Sequence, residues 1–291
     1  MLELLRGVLG RCVVEADRSW SHGGARVLLV RDARGGRWVG KRHRDRDRYL
    51  AERDAYRRWV PALGDRAPRL RAADDDTGTL VLSAVAGRPD WPRGLTPTVQ
   101  RQAGAALRRL HEAAEPEPWP DFAAVWLAEF DRWAPVAAGL LPAPELAAVR
   151  AAVIGLGELP VPHRVPCHGD YTPRNWLLAP VDAVAGPAPA GDGFAVIDFE
   201  WSRRDVWVCD LVRLAAGPWC DDPGLAAAFL AGYGSALDAA DRARLLRCAA
   251  VRTVFLAAWG RRHGEVALER GAREQFARLS RALRRGTGPV P

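Results

Sequence analysis

The sequence predicts an α+β protein: a small antiparallel β-rich lobe with one helix over residues 1–86, then a larger, mainly helical lobe over 87–291. Strand-length runs of β-branched and apolar residues, separated by turn residues, fill the first part. Helical periodicity dominates the second. Two strand-like runs flanking a Pro-, Gly- and Ala-rich stretch, LLAPVDAVAGPAPAGDGFAVIDFE, place a hairpin inside the helical part.

The elements follow in order. RCVVEAD (11–17) and RVLLVRD (26–32) read as strands, and ARGG (33–36) is a hairpin turn into a third strand, RWVGKRH. Leu50, Tyr56 and Trp59 recur at helical spacing from Arg46 to Val60, and Pro61 ends that helix. RLRAAD and TLVLSAVAG, joined by DDDTG, complete five strands. In the second part, TPTVQRQAGAALRRLHEA is an amphipathic helix with Thr96 as N-cap and Pro97 in its first turn. WPDFAAVWLAEFDRWAP and PAPELAAVRAAVIGLGEL are two more helices, and the segment from Asp222 to the end is helical.

Composition narrows the function classes. A hydrophobic fraction of 48% and a charged fraction of 26% are those of an ordinary globular protein. Five cysteines without a CxxC pair indicate buried thiols in a reducing compartment, neither a disulfide framework nor a zinc site. The N-terminus shows no leader pattern and no run is long enough for a membrane span, so a cytoplasmic protein is expected. The net charge of +7 comes from arginines dispersed among acids and apolar residues, with no interleaved aromatics in the one dense run, which disfavours a nucleic-acid partner.

Two rare residues direct attention to chemistry. Lys41 is the sole lysine and Asn175 the sole asparagine, in a chain whose Arg-rich composition has replaced both elsewhere. Lys41 closes the third strand, with Glu52 eleven residues on, in reach as its partner. Asp170 and Asn175 share the loop of CHGDYTPRNWLL, and Asp198 follows the strand FAVI. Two acids and an amide on adjacent turns offer the hard oxygens that suit Mg²⁺ shared with phosphates, and a lysine braced by a glutamate offers them a fixed positive point.

Lys41, Glu52, HGDYTPRN and IDFE, in this order and spacing over roughly residues 13–214, resemble the aminoglycoside phosphotransferase family within the protein-kinase-like fold. Gly169, where most protein kinases have Arg, and the direct run from IDFE to DLVRL both point to a small-molecule kinase. The resemblance implies a bilobal fold with a nucleotide-binding lobe at 1–86 and a catalytic and acceptor-binding lobe at 87–291. Its implied cofactors are ATP or GTP with Mg²⁺. Asp170 would act on the acceptor hydroxyl, Asn175 and Asp198 would hold the metal, Lys41 with Glu52 would contact the phosphates, and Ser83 and Val85 would add nucleotide contacts. It further implies that His168 makes a buried hydrogen bond shaping the loop and that Asp210 steadies it. The glycines of SWSHGGAR fall where the family's nucleotide-covering loop lies.

Glu200 reads equally as a second acid near the metal or as a helix-start residue, and Trp201, Trp207 and Trp219 as lining for an acceptor pocket. Residues 201–291 hold 15 Arg against nine acids, and only Asp221 with Asp222 suggests a cation site, so a neutral or acidic acceptor is as compatible as an aminoglycoside. Three functions remain open: a kinase of an antibiotic-like hydroxyl, a metabolite kinase of the choline, sugar or amino-alcohol type, and an inactive nucleotide- or nucleic-acid-binding relative.

Overall fold

The computed structural model describes residues 1–19, 24–179 and 193–285. Residues 20–23 of SWSHGGAR, including one of its two glycines, and the Pro/Gly/Ala stretch after Ala179 lie outside the described residues. The chain forms two compact units, one of residues 1–94, 106–114 and 168–203, the other of 95–105, 115–167 and 204–291. This division by contacts is distinct from the functional boundary at 86/87, which remains a proposal about lobes.

The first unit begins with a helix the sequence reading did not assign, α1 (Leu2–Leu9). Leu2, Leu5 and Leu9 recur at helical spacing, and Gly10, at φ 72°, stops the helix. Five antiparallel strands follow, β1 (Cys12–Asp17), β2 (Ala25–Asp32), β3 (Arg37–His43), β4 (Leu70–Asp74) and β5 (Thr79–Ser83), in the sheet order β1-β2-β3-β5-β4. Leu5 is fully buried against Leu28, Val30 and Val81, with Trp38 packed alongside. Burying such a leucine contributes about 1.5–3 kcal/mol. Leu5 rests on Gly40, where a Cβ would approach its side-chain end to 2.8 Å, so a larger residue there would make Leu5 shift.

Side chains alternate across a strand. With Trp38 and Gly40 turned to α1, Lys41 and His43 face the opposite side of β3. That side is covered by α2 (Arg46–Arg58), whose Tyr49, Glu52, Ala55 and Tyr56 are buried and whose N-terminus is capped by the Asp45 carboxylate. The sequence spacing therefore sets Glu52 over Lys41.

Still in this unit are the two-residue strand β6 (Arg88–Pro89) and the single turn α3 (Trp91–Gly94). Helix α4 (Pro97–His111) starts as expected, with the Val99 N–H reaching Thr96 Oγ1 at 3.5 Å. The second unit adds β7 (Glu117–Pro118), α5 (Phe122–Ala137), α6 (Ala143–Ile154) and β8 (His163–Cys167). The chain returns to the first unit for β9 (Trp176–Leu178) and β10 (Phe194–Val196), an antiparallel pair with Trp176 opposite Val196. β11 (Arg203–Val206) leads to α7 (Val212–Ala216), α8 (Pro218–Asp221), α9 (Pro223–Tyr233), α10 (Ala239–His263) and α11 (Val266–Arg285). The core of the second unit is α10, lined by Leu245, Ala249, Val254 and Ala257, with α5, α6, α7 and α11 packed around it. No described helix is long and apolar enough to cross a membrane.

Candidate active site

The site residues Lys41, Glu52, Asp170, Asn175 and Asp198 all belong to the first unit. Lys41 Nζ lies 2.8 Å from Glu52 Oε2, 2.5 Å from Asp198 Oδ1 and 3.3 Å from Glu200 Oε2. The lysine thus serves three carboxylates rather than the one expected. Burial alone would lower its pKa; Asp198, Glu52 and Glu200 outweigh it and hold the ammonium well above its ordinary 10.5. Burial would raise the Glu52 carboxyl, yet Lys41 and His43 pull it down to about 2. His43, not singled out by the sequence reading, sets Nε2 2.7 Å from Glu52 Oε2, a close polar contact whose angles miss hydrogen-bond alignment. Glu52 Oε1 accepts from the Phe199 N–H at 3.3 Å, so one buried acid ties β3, α2 and the segment after β10 together.

The loop from His168 to Asn175 is fixed by its own hydrogen bonds. The Asp170 N–H donates to His168 Nδ1 (3.3 Å), so the ring proton sits on Nε2 and is donated to the Ile197 carbonyl (3.0 Å). His168 is fully buried, its ring 4.7 Å from that of Phe199 and 5.6 Å from that of Tyr171, and its part is to shape the loop. Gly169 adopts φ 79°, and a Cβ there would lie 2.2 Å from the Trp201 carbonyl oxygen. In this backbone no side chain fits at position 169.

Asp170, 3% exposed, gathers three donors on Oδ2: Asn175 Nδ2 at 3.0 Å, Arg174 Nε at 3.2 Å and Arg174 Nη2. Asn175 Nδ2 also donates to the Asp170 carbonyl at 2.9 Å. The amide nitrogen is thereby committed to the loop, and the amide oxygen is the atom left to face a cation. The Ile197 N–H donates to the Asn175 carbonyl at 3.0 Å, extending the β9–β10 ladder by one step, to the residue before Asp198.

Asp198 is the one described non-glycine residue with positive φ, 71°. Such backbone costs about 1–3 kcal/mol and gathers where function over-determines the geometry. Counting Lys41, Glu52, Asp198 and Glu200 alone, three carboxylates against one ammonium leave two negative charges uncompensated. Surplus negative charge beside a hard amide oxygen fits a divalent cation of the Mg²⁺ type.

A family model described as the phosphotransferase enzyme family, APH, matches residues 21–246. The chain belongs to this family. Solved structures carry the same protein-kinase-like α+β fold. A choline/ethanolamine kinase family protein from Mesorhizobium loti is 22% identical at TM-score 0.66, over 96% of this chain and 90% of that one. The macrolide 2′-phosphotransferase MphH from Brachybacterium faecium is 19% identical at 0.61, over 94% and 97%. A thermostable mutant of aminoglycoside phosphotransferase APH(4)-Ia, in ternary complex with ADP and hygromycin B, is 15% identical at 0.69, over 96% and 97%. No curated protein sequence matches the chain.

The other residues of this APH-family chain fall into place differently from the sequence reading in several cases. Ser83 ends β5, its hydroxyl accepting from the Arg69 N–H at 2.8 Å, and Val85 is half-buried just beyond. Glu200 stands with Lys41 and His43 rather than at the start of a helix. Trp219 is not a pocket residue: it is fully buried, edge-on to Phe229, with its indole N–H donated to Gln100 at 3.1 Å. Trp207 stacks on Tyr233 at 4.8 Å and donates to Asp241 at 3.2 Å, and Trp201 lies under the Arg48 guanidinium. Asp210 is buried. Asp221 and Asp222 do not form a cation site, since Asp221 pairs with Arg278 at 2.5 Å and Asp222 caps α9 through the Gly224 N–H.

Arg174, which the sequence reading passed over, was legible only through its offset of four from Asp170.

Proposed function

We propose that this protein transfers the γ-phosphoryl group of ATP or GTP to a hydroxyl of a small antibiotic-like molecule, serving self-resistance in the cytoplasm. The observation that carries the reading is the Lys41 ammonium shared by Glu52, Asp198 and Glu200, in one unit with the Asp170–Asn175 loop. Membership of a phosphotransferase family supports it.

Phosphoryl transfer depends on positioning and charge neutralisation more than on covalent chemistry. Lys41, held from below by Glu52, presents its charge to phosphate oxygens. Asp170, fixed by Arg174 and Asn175, orients the acceptor hydroxyl and takes its proton as the oxygen attacks. Asn175 and Asp198 would hold Mg²⁺, which neutralises phosphate charge when bound. Ser83 and Val85, at the end of β5, would contribute to nucleotide binding.

The test is nucleotide consumption by the purified protein over a panel of antibiotics and small alcohols, repeated with Asp170→Ala. Acceptor-dependent consumption is expected for a hydroxylated antibiotic, with kcat about 10²- to 10⁴-fold lower in the variant and nucleotide affinity little changed. A variant keeping more than about a tenth of wild-type kcat overturns the role of Asp170. Turnover confined to choline or simple sugars replaces the acceptor class.

A further inference from the structure

The Arg174 side chain is 47% exposed, and its guanidinium is bound to the carboxylate of the buried Asp170. Nε and Nη2 both reach Oδ2, where the Asn175 amide also donates. Any acceptor hydroxyl that Asp170 serves must come within about 3 Å of that carboxylate. The atoms next to the reacting hydroxyl then start within about 6 Å of a fixed cation.

We propose that Arg174 is a specificity-determining residue that neutralises the carboxylate at the acceptor end of the site, so that the protein does not favour a hydroxyl flanked by an ammonium over one flanked by neutral or anionic groups. The inference rests on the phosphotransferase reading and names the acceptor class for it.

Two observations converge. First, the carboxylate that would otherwise attract an ammonium is already answered by a guanidinium of the same loop. Arg stays charged at every working pH, so this balance is permanent. Second, the carboxylates that could draw a polycation to residues 201–291 are largely committed to the fold. Asp221 holds Arg278, Asp222 and Asp238 cap helices α9 and α10, and Asp241 accepts from Arg244 and Trp207. Without the Arg174 guanidinium, the Asp170 carboxylate would attract an ammonium about 6 Å away by an amount equivalent to about 3- to 100-fold in rate or binding.

The experiment divides acceptors by charge: aminoglycosides and amino alcohols, uncharged nucleosides and sugars, and hydroxy acids. ATP and GTP consumption is measured with magnesium for wild type, Arg174→Gln and Arg174→Lys. Wild type is expected to show no preference for the cationic class beyond about 3-fold in kcat/KM. Arg174→Gln should raise the cationic-to-uncharged ratio by about 3- to 100-fold, while Arg174→Lys, which keeps the charge, stays closer to wild type. A wild-type preference for a polycation overturns the inference, as does a ratio that Arg174→Gln leaves unchanged. In either case consumption that still depends on Asp170 leaves the phosphotransferase reading standing. Absence of acceptor-dependent consumption across the panel overturns both.

Discussion

Lys41 and Glu52 meet at 2.8 Å with side chains 8% and 1% exposed, whereas Arg150 and Asp131 meet at 2.9 and 3.1 Å, two contacts in parallel, with 47% and 46% exposed. By contact geometry the second pair is the better formed. By consequence it is the lesser, because water already solvates both of its members and competes for them. In the first pair each charge has left water: Glu52 depends on Lys41 to stay charged, and Lys41 on Glu52 together with Asp198 and Glu200. Burial therefore decides which ion pair the fold and the chemistry rely on, and it lies at the base of the candidate active site.

The largest effect should come from breaking the buried pair. Glu52→Ala leaves Lys41 in a dry site and removes the acceptor of the Phe199 N–H. Removing one member of a buried pair costs about 3–5 kcal/mol, and the lower end is expected because Asp198 and Glu200 still face the lysine. Urea unfolding measures this directly, and a loss no larger than that of an exposed pair would erase the distinction drawn above. Glu52→Gln, which keeps an oxygen for Phe199, should cost less.

The same carboxylate predicts an acid window. Its pKa falls from 4.5 to about 2 on folding, so its contribution is complete above about 4.5 and fades as the pH drops towards 2. The stability difference between wild type and Glu52→Gln, followed by urea midpoint, should shrink through that window. Parallel loss in the two proteins would mean that other groups set the acid limit.

Much of this site was legible in the sequence because phosphate and metal chemistry tolerates few residue types. Lys41, Glu52, Asp170, Asn175 and Asp198 stood out by type, rarity and spacing, and the fold brings them into one unit. Arg174 stayed hidden because it is one of 41 arginines and only its loop geometry distinguishes it. His43 was passed over because a histidine two residues from a lysine has no signature until the strand's alternation puts both on one face. Helix α1 carried its signal in Leu2, Leu5 and Leu9, but the partner surface on β2 and β5 is set by tertiary packing. Strands β6, β7 and β11, two to four residues long, are too short for periodicity to register. Trp219 was misassigned because composition cannot separate a core tryptophan from an exposed ring.

Lys41→Arg sharpens the comparison by keeping the charge and changing only its shape. A compact ammonium fits among Glu52, Asp198 and Glu200, while a planar, longer guanidinium in a site 7% exposed must displace at least one of them. Displacement of about 1 Å can cost on the order of 10²-fold in rate, so kcat should fall by about that much, with a smaller change in urea midpoint. Full activity would make the lone lysine an accident of composition.

The smallest effect is expected from Arg150→Ala in the second unit. Asp131 answers this guanidinium and raises its pKa, yet both groups stay hydrated when parted. Exposed pairs with good geometry can still contribute little once side-chain entropy and salt screening oppose them. The melting temperature should move by less than about 2 °C, and less again in high salt, with acceptor-dependent activity unchanged. A drop comparable to that of Glu52→Ala would show that the parallel contacts of α5 and α6 hold the helices in a way exposure does not reveal, and the ranking of pairs by burial would then fail within the same molecule.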